Sequence, residues 1–345
     1  MNMETPSGHV TLKEIAREAG VSVATIDRVM HGRSGVREET ARRVREAIAR
    51  HSRGSGREST YRARAMKFAF VMPEGANIFM QMVRDNVVEM SEWLSLRKVS
   101  VETILTDVFS APKLSETLES LAGRFDGVAV VALDHQSVRA AIDDLVAGGT
   151  FVVTLVSDVP GSRRHHYVGI DNVAAGRTAG TLVGRLSQSR AGKIGVVAGS
   201  QLLRDHAERI FGFQQVMGLE HARFPLLGVV EGGDRDDLNE ALVTRWLADH
   251  PDLVGVYNVG AGTSGVAKAI TDVGRESQIV FVAHDLTPFT RRSLLKGVID
   301  AIISQDAGHE ARSAIRVLMA LGRGEPMLPE QEKIRIDIIM RDNLP

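Results

Sequence analysis

From Lys67 onward, short apolar runs alternate with longer stretches whose apolar residues recur every three or four positions. The runs cover residues 68–72, 99–105, 127–133, 151–155, 194–198, 254–258, 279–283 and 298–303. Short runs made mostly of apolar residues suit strands covered on both faces, and the amphipathic stretches between them suit crossover helices. The region therefore reads as α/β, with parallel sheets. Before Lys67 the pattern is purely helical. A first helix opens at Thr11-Leu12-Lys13-Glu14, a capping-box sequence, and turns Leu12, Ile15, Ala16 and Ala19 to one face. Gly20 stands where a left-handed stop is needed, and Ser22 where the next helix needs a cap. That second helix, 23 to about 31, turns Ile26, Val29 and Met30 inward and leaves Val23, Ala24, Asp27 and Arg28 free. A third spans 36–50, with Val44, Ala47 and Ile48 inward. Two helices meeting at a tight corner, the second presenting a free polar face, match a groove-reading unit; spacing alone fits a small helical bundle equally well.

Residue identities separate the two. The run Val10-Thr-Leu-Lys-Glu-Ile-Ala-Arg-Glu-Ala-Gly-Val-Ser-Val-Ala-Thr-Ile-Asp-Arg-Val-Met-His-Gly32 resembles, almost position for position, the N-terminus of the lactose-repressor family of bacterial transcription regulators. The resemblance implies that Val23 and Ala24 reach base edges in the major groove, that Arg28 contacts DNA, and that Thr11, Ser22 and Thr25 hold the phosphate backbone. Asp27 departs from the Ser usual there, and a carboxylate at that place repels phosphate.

Charge agrees with this division. The chain of 345 residues has a net charge of −1, yet residues 1–66 carry 13 Lys and Arg against 8 Asp and Glu, leaving 29 against 35 for the remainder. The basic end faces the polyanion. Residues 51–66, rich in Gly, Ser and Arg and without apolar periodicity, read as a linker between a DNA-binding domain (1–50) and a second domain (67–345). Family members carry there a hinge helix with a Leu wedge; Gly54, Gly56 and the lack of Leu between 51 and 66 predict neither, and so weak DNA bending. There is no cysteine, which excludes disulfides, thiolate catalysis and thiolate-bound metals. The N-terminus lacks a signal-peptide pattern and no apolar run approaches the roughly 20 residues of a membrane span, so a soluble cytoplasmic protein is expected.

The order and spacing of elements over 67–345 resemble the periplasmic-binding-protein type I fold, the effector domain of this same family. The resemblance implies two lobes joined by three crossovers, one lobe of about 67–169 and 306–329, the other of about 170–305 and 330–345, with Tyr167-Val-Gly-Ile-Asp-Asn172 as the first crossover. It also implies an effector site made by Asn77, Phe79, Asp158, Arg209, Asn258, Asp285 and Gln305, most of them at strand ends, where open α/β sheets place ligands. Carboxylates and amides accept from and donate to adjacent hydroxyls, a guanidinium adds a rigid fork, and Phe79 covers an apolar ring face, which suits a sugar or other polyol. The end at Asn343-Leu344-Pro345 has no heptad tail, so a dimer rather than a coiled-coil tetramer is expected.

One sequence supports an enzyme instead. Gly260-Ala-Gly-Thr-Ser-Gly265 has the spacing of a dinucleotide-binding loop, with Asp285 twenty residues on. The alternative is a loop shaped by glycine beside the effector. No His pair has metal-binding spacing, no Ser has a nucleophile-elbow pattern, and Met80, Met82 and Met90 belong to an apolar helix face that packs as core. The sequence thus predicts a dimeric regulator, a repressor, that binds operator DNA under control of a sugar or polyol, without cofactor, metal or catalysis. A regulator of purines or other metabolites, and a nucleotide-dependent enzyme fused to a DNA-binding domain, are the alternatives.

Overall fold

A computed structural model of the chain describes residues 64–75 and 77–345 and, nearer the N-terminus, Ala16, residues 19–22, Thr25, Thr40, Arg43 and Val44. The chain divides into two units, Met1–Arg64 and Ala65–Pro345. In the first, Ala16, Ala19 and Val44 are buried. The chain turns at Gly20, whose φ of 63° suits a residue without Cβ. The Arg43 guanidinium donates to the Ala19 carbonyl at 2.8 Å, satisfying an acceptor at a helix end. The Thr25 N–H donates to Ser22 Oγ at 3.2 Å, the bond of a helix-start cap. The stop at Gly20 and the cap at Ser22 are thus both present. Thr11, Val23, Ala24, Asp27 and Arg28, and residues 51–63 of the linker, lie outside the described residues.

The second unit is built on two sheets, and its elements are numbered within it. The first sheet holds β1 (Met66–Pro73), β2 (Val99–Thr106), β3 (Gly127–Val130), β4 (Phe151–Leu155) and β5 (His166–Val168), ordered β2-β1-β3-β4-β5 and all parallel. The second holds β6 (Lys193–Ala198), β7 (Val230–Glu231), β8 (Leu253–Asn258), β9 (Val280–His284), β10 (Ala301–Ser304) and β11 (Asp337–Ile339). Their order is β11-β10-β9-β8-β6-β7, and only the β10–β11 pair is antiparallel. The expected α/β class with parallel sheets is the observed one.

Helices α1 (Ile78–Glu89), α2 (Ser91–Leu96), α3 (Ala111–Glu119) and α4 (Gln136–Ala147) connect strands of the first sheet. Helices α5 (Asn172–Leu186), α6 (Arg204–Glu220), α7 (Asp236–Asp249), α8 (Thr263–Asp272) and α9 (Pro288–Leu295) serve the second. α10 (Ala307–Arg323) follows β10 yet packs on β3, β4 and β5, and α11 (Pro329–Glu332) leads back to β11. The chain therefore passes between the lobes three times: after β5, after β10, and between α10 and β11.

In β1 every residue except Lys67 is buried, as a central strand covered on both faces must be. Met80 is buried and Met82 and Met90 pack against the same core, so the methionine face of α1 is structural. Each large apolar side chain so buried contributes about 1.5–3 kcal/mol. The strand carboxyl ends of both sheets, from which the site is built, rest on this frame.

Candidate functional site

Where β1 ends, Asn77 caps α1 by accepting the Met80 N–H at 3.2 Å, and this turn carries Phe79 into the space between the lobes. From the second sheet, Asp285 follows β9, Gln305 follows β10, and α6 brings Asp205, His206 and Arg209 on its first turns. These residues surround a cleft of about 520 Å³, which Asp234, Val156, Ser157 and Phe109 help to line. Five of the residues expected at an effector site, Asn77, Phe79, Arg209, Asp285 and Gln305, are thus brought together. Asn77 also reaches across, donating from Nδ2 to Asp234 Oδ2 at 3.4 Å.

The guanidinium of Arg209 is the fixed point. Its Nε donates to Asn172 Oδ1 and its Nη1 to the Val259 carbonyl, both at 2.9 Å, while Nη2 lies 3.8 Å from Asp205 Oδ2 and makes no hydrogen bond. Burial alone would lower its pKa; the Asp205 and Asp285 carboxylates reverse that and hold it above the usual value. Asn172 in turn donates to the Tyr167 hydroxyl at 3.1 Å, which tethers the fork to the first crossover.

Around this cation stand acceptors without donors. Asp205 Oδ1, Asp285 Oδ1 and Gln305 Oε1 are buried and have no hydrogen-bond partner. Burial pushes the Asp285 carboxyl up to about 6 despite the lowering by Arg209 and Gln305, and it raises Asp234 despite His206. Behind them Glu310, on α10, is fully buried with neither carboxyl oxygen partnered; burial and the neighbouring Asp285 raise its pKa well above the usual value. His284 shares a hydrogen with the Tyr257 hydroxyl at 2.7 Å, and burial drives its pKa well down, leaving a neutral ring under the site.

Backbone strain gathers at the same place. Among the described residues, four that are not glycine have positive φ: Lys98, Val156, Asp234 and Asp285. The last three line the cleft. A left-handed conformation is costly for a branched residue such as Val156 and persists where surrounding structure dictates it.

Two of the expected residues are not among those that line the cleft. The Asp158 carboxylate is bidentate with Arg164 and accepts from Thr154 Oγ1 at 2.6 Å and the Val159 N–H at 2.8 Å. Val156 and Ser157 take its place on that wall. Asn258 is fully buried, and its amide donates to the carbonyls of Gly260 and Ala261 and to Thr263 Oγ1, so it shapes the loop beneath the site. That loop also explains the glycine motif. A Cβ on Gly260 would stand 2.4 Å from Asp234 Oδ1, and one on Gly265 would stand 1.8 Å from the Asp236 carbonyl. The glycines let α7 approach α8 and let Asp234 into the cleft wall. Among the described residues no cluster of three His, Asp or Glu can hold a metal ion, and no helix is long and apolar enough to cross a membrane.

Comparison with known proteins agrees with this architecture. Residues 68–326 match the periplasmic binding protein domain, and residues 11–52 match the bacterial regulatory proteins of the lacI family. The chain is 26% identical to the HTH-type transcriptional regulator AglR of Rhizobium meliloti, over 96% of this chain and 93% of that one. Among solved structures, GanP, a glucose-galactose binding protein from Geobacillus stearothermophilus, covers 82% of this chain and 99% of its own with a TM-score of 0.74 and 23% identity. An ABC transporter solute binding protein from Burkholderia graminis in complex with D-arabinose gives a TM-score of 0.74 at 22% identity, over 81% of this chain and 97% of that one. Regulators of the lacI family are not enzymes, which removes the nucleotide-dependent alternative. An N-terminal unit of lacI type followed by a two-lobed binding unit with a polar interlobe cleft places the chain in the lacI family of bacterial regulatory proteins, with its second unit a member of the periplasmic binding protein domain family.

Proposed function

We propose that the chain is a cytoplasmic, homodimeric repressor whose operator affinity is controlled by an uncharged sugar or sugar-like polyol bound between the lobes. The observation that carries this reading is the set of buried, unpartnered groups at one cleft: Asp205 Oδ1, Asp285 Oδ1 and Gln305 Oε1 as acceptors and Arg209 Nη2 as a donor. Leaving such groups unsatisfied costs about 1–3 kcal/mol each, so a ligand with several adjacent hydroxyls gains by supplying the missing partners. The glucose-galactose and D-arabinose binding of the structural neighbours supports the same class.

Charge narrows it. Glu74, Asp107, Asp205, Asp234 and Asp285 face the cleft against Arg209 and Arg235, and Arg235 is engaged by Asp237 at 2.6 Å. A phosphate or carboxylate in that space meets surplus negative charge. On the DNA side, Val23 and Ala24 are the proposed base contacts and Arg28, Thr11, Ser22 and Thr25 further DNA contacts, with 51–66 as linker and two modules presented by the dimer to a pseudo-palindromic site. The test is a thermal-shift series on the full chain with pentoses, hexoses, cyclitols and nucleosides. A ligand at 100 times its Kd adds about 2.7 kcal/mol to stability. Stabilisation by a neutral polyol that also changes operator affinity is expected; stabilisation by nucleosides alone would replace the reading.

A further inference from the structure

The start of α6 is built from both lobes. Its N-cap residue is Leu203, which has no side-chain group to offer the helix. The missing acceptor comes from across the cleft: Ser157 Oγ, which follows β4 of the first sheet, accepts the Arg204 N–H at 3.1 Å. A Ser in the N-cap position itself satisfies the same kind of orphan N–H, so Ser157 performs a cap's work from the opposite lobe. Leu203 meanwhile is buried, 5% exposed, within an apolar cluster whose other members all come from residues 69–159, that is, from the first lobe. Two further contacts tie the same segment across: the Asp134 N–H donates to the Leu202 carbonyl at 3.3 Å, and Arg204 Nη1 lies 3.9 Å from Asp134 Oδ2. The next residues on the helix are Asp205, His206 and Arg209, which line the cleft.

We infer that Leu203 and Ser157 are positioning residues that latch the second lobe to the first and fix the opening turn of α6, so that Asp205 and His206 on that turn are set beside the anchored Arg209 only when the lobes are together. The physical basis is a two-part contact that exists in one lobe arrangement. With the lobes parted, Leu203 returns to water and the Arg204 N–H loses its protein acceptor. Burial of a Leu side chain shifts an equilibrium by roughly tenfold to a hundredfold. A protein whose binding-competent state is less populated binds its ligand more weakly by that same fraction. The consequence for affinity rests on the cleft being the effector site; the consequence for lobe separation does not.

The absence of cysteine makes the test direct. Glu119→Cys on α3 and Arg245→Cys on α7 place one label on each lobe at exposed positions. Label-to-label distances are measured by pulsed electron spin resonance on the full chain, without sugar and with D-glucose, D-galactose or D-arabinose in turn. Leu203→Ser is expected to move the distribution toward longer separations by about tenfold in population and to weaken whichever of these sugars binds by a similar factor. Leu203→Met is expected to restore both, and Ser157→Ala to shift the distribution in the same direction as Leu203→Ser by a smaller amount. A Leu203→Ser protein that melts several degrees lower with unchanged separations would make Leu203 an ordinary core residue and overturn the latch. Should Leu203→Ser not fold, the Ser157→Ala distribution decides, and an unchanged one overturns the inference. If none of the three sugars binds the parent protein, the wider thermal-shift series decides the effector reading, while the sugar-free distances still decide the latch.

Discussion

Asp285 offers a sharp test, because the physics that suits it for ligand makes it a burden on the empty protein. Burial holds its carboxyl at about 6 against the usual 3.8, and this is the balance left after Arg209 and Gln305 have pulled the other way. At 1.36 kcal/mol per pH unit, the ionised side chain is worse off in the empty cleft than in the unfolded chain by about 3 kcal/mol. The sign follows from linkage. A folded-state pKa raised above the unfolded value gives stability that is complete below pH 3.8 and is lost as pH rises through about 6. Asp285→Asn keeps the shape and removes the charge, so at pH 7.5 the empty variant is expected to be more stable by up to about 3 kcal/mol. For a unit of this size each kcal/mol moves the melting temperature by about 2–4 °C. Toward pH 5 the parent protonates and the gap closes. The same substitution replaces an acceptor by an amide and is expected to weaken effector binding by about 1–3 kcal/mol. Melting curves of both proteins between pH 5 and 8 decide the matter. Equal stability at pH 7.5, or a gap that stays constant to pH 5, would refute the argument that burial strains this carboxylate.

Three other outcomes are expected. Gly176 on α5 lies so close to α6 that a Cβ would stand 1.9 Å from the Arg209 carbonyl, so Gly176→Ala is expected to cost about 1–3 kcal/mol in denaturant titrations and to displace Arg209, weakening effector binding as well. Matched pairs of a binding sugar and its phosphate ester are expected to differ by more than tenfold in calorimetric Kd in favour of the uncharged member, given the acid surplus of the cleft. Arg28→Ala is expected to weaken operator binding by about 1–3 kcal/mol in gel-shift titrations while leaving effector binding unchanged.

Much of the fold is legible in the alternation of apolar runs, because eight strands of the two sheets run four to eight residues and each carries an apolar stretch. The three that escape it, β5, β7 and β11, have two or three residues each and lie at sheet edges, where one side meets solvent and the pattern loses contrast. The cleft was legible where a residue follows a strand, as with Asp285 and Gln305. The sequence does not mark Asp205, His206 and Asp234 as cleft residues, since a charged residue on a helix or in a loop reads as solvated until the fold places it. Asp234 did carry a signal: it ends Gly232-Gly233-Asp234, and both Gly233 and Asp234 adopt left-handed φ. Asp158 shows the converse, where strand position pointed to ligand and Arg164, six residues on, claimed the carboxylate. Glu310 falls on the apolar face of α10, three residues after Ala307 and four before Ala314, and periodicity reads an acid there as an interruption of that face rather than as a buried group.

Asn172, which holds the Arg209 fork, is the first helical residue after one crossover, and Gln305 lies within the next. Residues proposed to recognise the ligand and residues of the segments that join the lobes are therefore neighbours or the same. A lineage adapting this chain to a new ligand cannot alter these positions without also resetting how readily the unliganded lobes close. Divergence of specificity in such a protein is bound to proceed through intermediates whose switching threshold has drifted, and later substitutions elsewhere must return it.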